Sequence, residues 1–224
     1  MKLKLFAVCI ALNTIILTSC KKQDIKSTSL ASLLVTNAVS GGGNLLLGTN
    51  AAPIYNNSYQ VYGMLTGSKE INLVDTAGGI NKVYFNQTKD LENGGLYSLF
   101  LGGIKGAVDE VFIKEENIPS HSGDVFGTRV INMVTGNALI SINLAGRSNG
   151  SLIPGLAYKE ISTFNDVSSQ TAEGDKVFEF RNADTGSLIT SFTVPAYDLP
   201  RFRNITLVIS GNLNSVTAFR INNY

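Results

Sequence analysis

The 224-residue chain has no tryptophan, one histidine (His121) and two cysteines (Cys9 and Cys20). Each scarcity closes a class of function. A single histidine cannot build a multi-histidine zinc site, and both cysteines lie within the first 20 residues, so the rest of the chain has no thiol for a disulfide, a nucleophile or a metal ligand. A charge excess is missing as well, with 18 Lys and Arg against 17 Asp and Glu. Without a basic surplus to neutralise phosphates, nucleic acid is not an expected partner. No segment keeps a 3.6-residue apolar period over helical length. His121 sits in Pro119-Ser120-His121-Ser122-Gly123-Asp124, a loop composition, and reads as a loop histidine rather than part of a Ser/His/Asp constellation. No catalytic residue, metal or cofactor is expected.

What is present begins with an address. Lys2 and Lys4 precede an apolar run from Leu5 to Leu17, followed by Leu17-Thr18-Ser19-Cys20. That order of basic end, apolar middle and small residues marks a secretory signal. The run is too short for the roughly 20 apolar residues of a membrane span, and Asn13 and Thr14 interrupt it. The expectation is a signal peptide over residues 1–19, cleaved before Cys20, which becomes the lipidated first residue and anchors the chain to a membrane. Residues 20–30 are polar and read as a flexible tether. By resemblance to lipoprotein sorting in enteric bacteria, where aspartate after the lipidated cysteine retains the protein in the inner membrane, Lys21 implies the outer membrane. The Lys-rich run ending at Asp24 resembles a short signal for export to the cell exterior. Removing Lys2 and Lys4 leaves 16 basic against 17 acidic residues in the mature chain.

Beyond residue 30 the pattern is β. Ile140, Ile142 and Leu144 alternate with Ser141 and Asn143, Leu188, Thr190, Phe192 and Val194 with Ile189, Ser191 and Thr193, and Ile205, Leu207 and Ile209 with Thr206 and Val208. A period of two predicts strands with one buried face. Turn clusters such as Gly41-Gly42-Gly43-Asn44, Asn93-Gly94-Gly95 and Asn182-Ala183-Asp184-Thr185-Gly186 separate them. Many short strands without intervening helices predict an all-β chain of antiparallel sandwiches.

An internal repeat sets the expected division. Leu33 to Val39 followed by Asn44 to Gly48 matches Arg129 to Val134 followed by Ala138 to Ile142, and Gly95 to Gly102 matches Arg203 to Gly211. Each half ends in one more strand, Val111 to Ile113 and Val216 to Ile221. The spacing predicts two tandem immunoglobulin-like domains over residues 31–118 and 125–224, with one larger sandwich as the alternative. The form Arg129-Val130-Ile131-Asn132 with Ile140-Ser141-Ile142-Asn143-Leu144-Ala145-Gly146, and more loosely Leu34-Val35-Thr36-Asn37 with Leu45-Leu46-Leu47-Gly48, resembles the domain of unknown function 4397. That family consists of small immunoglobulin-like modules in secreted and surface-anchored bacterial proteins. The resemblance implies a fold and no catalytic residues.

Three stretches hold candidate sites. Tyr55-Asn56-Asn57-Ser58-Tyr59-Gln60-Val61-Tyr62 interleaves tyrosines with amides, a mixture suited to protein or glycan surfaces, and nominates Tyr55, Asn56, Asn57, Tyr59 and Tyr62 as ligand-binding. Asp75-Thr76-Ala77 resembles a bacterial O-glycosylation signal with Thr76 as acceptor. Asp184-Thr185-Gly186 copies the aspartic-protease triplet, but that chemistry needs two such carboxylates, so a hairpin turn is expected instead. The function expected is a non-catalytic surface lipoprotein acting as a binding, adhesion or structural module. The alternatives are a fimbrial subunit and a glycan-binding accessory of a polysaccharide uptake system.

Overall fold

A computed structural model describes residues 28–48, 52–77, 82–136 and 138–223. The signal peptide and Cys20 lie outside these residues. The described chain is all-β, with helical geometry limited to single 3-10 turns such as Thr171–Glu173 and Ala196–Asp198. Strands β1 (Leu30–Asn37), β3 (Ser58–Leu65), β6 (Leu96–Ile104) and β7 (Ala107–Lys114) form one sheet in the order β3-β1-β6-β7. It faces a sheet of β2 (Leu45–Leu47), β4 (Gly67–Asp75) and β5 (Lys82–Leu91). The second half repeats the plan. Its first sheet is β11 (Asn165–Ser168), β8 (Val125–Thr135), β14 (Asn204–Asn212) and β15 (Ser215–Asn222), in that order. The opposing sheet is β10 (Ile153–Leu156), β9 (Ile140–Leu144), β12 (Lys176–Asn182) and β13 (Leu188–Val194), again in spatial order.

The repeat extends to register. Val35 pairs with Leu99 and Asn37 with Leu101, just as Val130 pairs with Leu207 and Asn132 with Ile209. Asn37 and Asn132 are both fully buried, and each spends its amide on backbone carbonyls: Asn37 on Gly43 and Ile54, Asn132 on Leu156. The paired strands β1/β6 and β8/β14 run parallel, which departs from the purely antiparallel sheets expected. The reason is connectivity. Between β1 and β6 the chain crosses to the opposing sheet, so the two strands are not hairpin partners and nothing forces them to run in opposite directions.

The alternation pattern also understated burial. On β1, Leu33 and Val35 face the first sandwich core while Leu34 faces a separate cluster with Phe100, Ile131, Met133, Val208 and Ile221. That cluster joins the two sandwiches: the sheets holding β1 and β8 stack back to back, and their central strands are buried on both faces. A near-continuous apolar run is the sequence form of such a strand. Gly102 on β6 lets the sheets approach, since a Cβ there would lie 2.6 Å from Cε and 2.8 Å from Cβ of Met133. On β13 the alternation slips. Phe180 pairs with Thr190 but Arg181 with Leu188, so a bulge falls at Ile189, which packs against the second core while Leu188 is 54 % exposed.

Polar groups fasten the same junction. Glu115, just past β7, receives both terminal nitrogens of Arg129 at 2.6 and 2.8 Å and the Ser98 hydroxyl at 2.5 Å. The Nε of Arg129 donates to Thr206 at 2.8 Å, and its guanidinium carbon stands 4.6 Å from the Phe164 ring centre. Nearby, Asp109 of β7 accepts the Tyr158 hydroxyl at 2.8 Å and pairs with Lys159 at 3.2 Å.

Candidate functional site

The nominated tyrosine stretch is dispersed by the fold. Tyr55 is 61 % exposed. Asn57 occupies a turn with φ of 55°. Asn56 donates its amide to Val39 O at 2.8 Å, so it serves the loop rather than a ligand. The period of β3 sends Tyr62 toward the first core and Tyr59 to the junction between sandwiches. The Tyr62 hydroxyl donates to Ala52 O at 3.2 Å, and burial holds its ionisation above the usual tyrosine range. These five residues therefore do not form one surface: consecutive strand positions point to opposite faces.

Thr76 is exposed, but its neighbour Asp75 is 1 % exposed and structural. Asp75 accepts the Tyr84 hydroxyl at 2.6 Å and the N–H groups of Ala77 and Gly43 at 2.8 and 3.2 Å, which pins the Gly-rich turn. Burial pushes the Asp75 carboxyl up, but these donors and the charge of Lys105 outweigh it and hold it below its usual value. Tyr84 moves the other way, raised by burial first and then by its hydrogen bond to, and the charge of, Asp75. A tyrosine raised in the folded state contributes stability that is complete below its unfolded pKa, about 10, and is lost as pH rises through the folded value. The stability gap between wild type and Tyr84→Phe should therefore shrink as thermal unfolding is followed upward from pH 9, and a constant gap would refute this role.

Asp184 is exposed in the hairpin between β12 and β13, where the Asn182 side chain accepts the N–H groups of Asp184 and Thr185, each at 3.0 Å. His121 lies outside any strand, in the loop expected, but its side chain does not project into solvent. Its side chain is only 3 % exposed, with Nδ1 3.0 Å from Asp166 and Nε2 2.7 Å from the Asn204 side-chain oxygen. Gly127 makes room for this pair, because a Cβ there would fall 2.1 Å from the Asn204 oxygen and 2.5 Å from Nε2 of His121. Both ring nitrogens are thus taken, and neither is aimed at a serine hydroxyl. The histidine clasps the segment before β8 onto β11 and β14.

The surface that does gather ligand-type side chains lies beside this clasp, where β13 leads into β14. Residues 195–203 are shaped by Pro195 and Pro200, by the 3-10 turn at Ala196–Asp198, and by hydrogen bonds from Ala196 N to Asp175 and from Phe202 N to Val125 O. Leu199 packs on the second core and fixes the segment's depth. Tyr197 stands out into solvent at 90 % exposure. Phe202, at φ of 62°, is half exposed, with the Arg201 guanidinium over its ring at 4.7 Å. Two open hollows flank Tyr197, of about 350 and 430 Å³. Tyr197, Leu199 and Arg201 line both; Arg203, Arg220 and Asn222 belong to the smaller one, and Gln170 and Thr171 to the larger.

The charges there are incompletely matched. Arg220 pairs with Asp198 at 2.6 Å, and Arg201 pairs with Asp124. Among the described residues Arg203 has no carboxylate partner. Three of the chain's six arginines thus meet beside an exposed tyrosine. Tyr59 reaches this place too, its hydroxyl accepting Asn222 N at 3.3 Å.

No family model matches the chain, and no curated protein matches it. Several solved structures are similar, two of them as follows. The C-terminal domain of AlgF from P. aeruginosa is 18 % identical, with 40 % of this chain matched to 100 % of that one at a TM-score of 0.30. CBMbc, a family CBM26 domain of Eubacterium rectale Amy13K solved with maltoheptaose, is 12 % identical over 86 % of this chain and 97 % of that one, at a TM-score of 0.27. Likenesses this distant carry no argument about the site, which rests on its own geometry.

Sequence reasoning missed the Tyr197 surface. A signal existed in Tyr197-Asp198-Leu199-Pro200-Arg201-Phe202-Arg203, which sets two aromatics and two arginines around a proline. What it did not reveal was Arg220 arriving from β15 and Gln170 and Thr171 from the β11–β12 connection.

Proposed function

We propose that this chain is a non-catalytic cell-envelope lipoprotein, anchored through Cys20 to the outer membrane and facing outward, whose fused sandwiches form a rigid binding module. The observation that carries the binding part is the open surface at Tyr197, where that exposed ring and three arginine side chains converge on two hollows. The lipid anchor rests on Leu17 to Cys20 with Lys21 following. Against the fimbrial alternative, β1 lies between β3 and β6 with both edges paired, so the first strand is already part of its own sheet and leaves no gap there for a neighbour's strand.

Cys20→Ala should move the protein from the membrane fraction to the soluble one. Retention in the membrane with the signal uncut would end the anchor reading. Protease added to intact cells should degrade the wild-type protein, and full protection would place the module inside the envelope.

A further inference from the structure

We infer that the surface at Tyr197 takes a carboxylate-bearing saccharide, an acidic glycan chain rather than a neutral one. The inference rests on the binding-module reading and adds the chemical class of the ligand. Three features converge on it. First, the uncompensated Arg203 and the exposed Arg201 present planar forks that match a carboxylate in two-point hydrogen bonds. The Arg201–Asp124 pair is exposed on both sides, at 58 % and 43 %, and an exposed pair of this kind holds its partners weakly, so Arg201 is available to a competing carboxylate. Second, Tyr197 offers a nearly complete ring to solvent, which suits the apolar face of a pyranose better than it suits a free anion. Third, the two hollows share Tyr197 and Arg201 as a common wall, so successive sugar units of one chain can lie on either side of it.

A peptide ligand fits less well. Neither hollow provides the deep apolar pocket that an anchoring side chain would fill.

The test is calorimetric titration of the full chain with three probes: a hexamer of α-1,4-galacturonic acid, xylohexaose, and hexaglutamate. The expected result is binding of the galacturonate hexamer that weakens with added salt, with xylohexaose and hexaglutamate each about tenfold weaker or worse. Arg203→Gln and Tyr197→Ala should each weaken the hexauronate by about tenfold, as expected for the loss of one charge-assisted contact or one stacked ring. Lys82→Gln, an exposed charge on the first sandwich, should change it by less than about twofold, and unchanged melting temperatures would show that the variants fold. Hexaglutamate binding as tightly as the hexauronate, or indifference to Tyr197→Ala, would replace the saccharide with a generic anion or acidic peptide. Xylohexaose binding equally well and depending on Tyr197 would overturn the acidic class while leaving the binding module intact. No binding of any probe would overturn the inference, and the anchoring and surface-exposure results would still judge the broader reading separately.

Discussion

Replacing Glu115 by alanine is expected to lower the stability of the folded chain by about 3–5 kcal/mol, measured by urea unfolding. The side chains of Glu115 and Arg129 are 4 % and 7 % exposed, so the truncation strands a guanidinium away from water with only Thr206 and the face of Phe164 for company. Breaking such a pair costs far more than the pair's net worth, because the remaining charge keeps its desolvation penalty and loses its compensation. The double variant Glu115→Leu, Arg129→Met should therefore recover most of the loss, since it removes both charges and keeps the volume. If Glu115→Ala cost less than about 1 kcal/mol, the pair would be solvated in solution and the two sandwiches looser than described.

Phe100→Ala should cost a similar amount, about 3–5 kcal/mol, but with a different signature. Phe100 is fully buried and packs with Leu34, Ile131, Met133 and Val208, so the cavity it leaves lies between the sandwiches rather than inside either one. Weakening that contact should uncouple two units that each keep their own core, and calorimetry should show one transition resolving into two. Leu99→Ala is the control. Its side chain leaves the opposite face of β6 into the first core, so it should lower the melting of that sandwich. A small loss for Phe100→Ala with an unchanged single transition would mean that the junction contributes little.

The chain's local patterns revealed a good deal of this. Alternation in β9 and β14, glycine and asparagine at the turns, and the absence of a helical period specify an all-β chain, because side-chain period and turn chemistry are properties of neighbouring residues. The matched segments around Asn37 and Asn132 were visible for the same reason, and in the structure each asparagine pairs in register with the equivalent strand. The bulge at Ile189 escaped that reading, since one extra residue shifts the pairing without leaving a mark in composition.

The sequence by itself therefore determined strand content and the repeated segments, both of which are written in contiguous residues. Only the tertiary structure decided that the two sandwiches share a buried junction: an apolar run such as Leu33-Leu34-Val35 says that both faces seek cover but not what covers the second one. It also decided where ligand-type groups meet. Tyr59 and Tyr62 look like neighbours in the chain, yet strand geometry sends them to opposite faces, whereas Arg220 comes from β15 and is brought to the hollow of Tyr197 and Arg203 by the pairing of β14 with β15. Proximity along a chain constrains side-chain direction only over a few bonds, and a binding surface is a matter of direction.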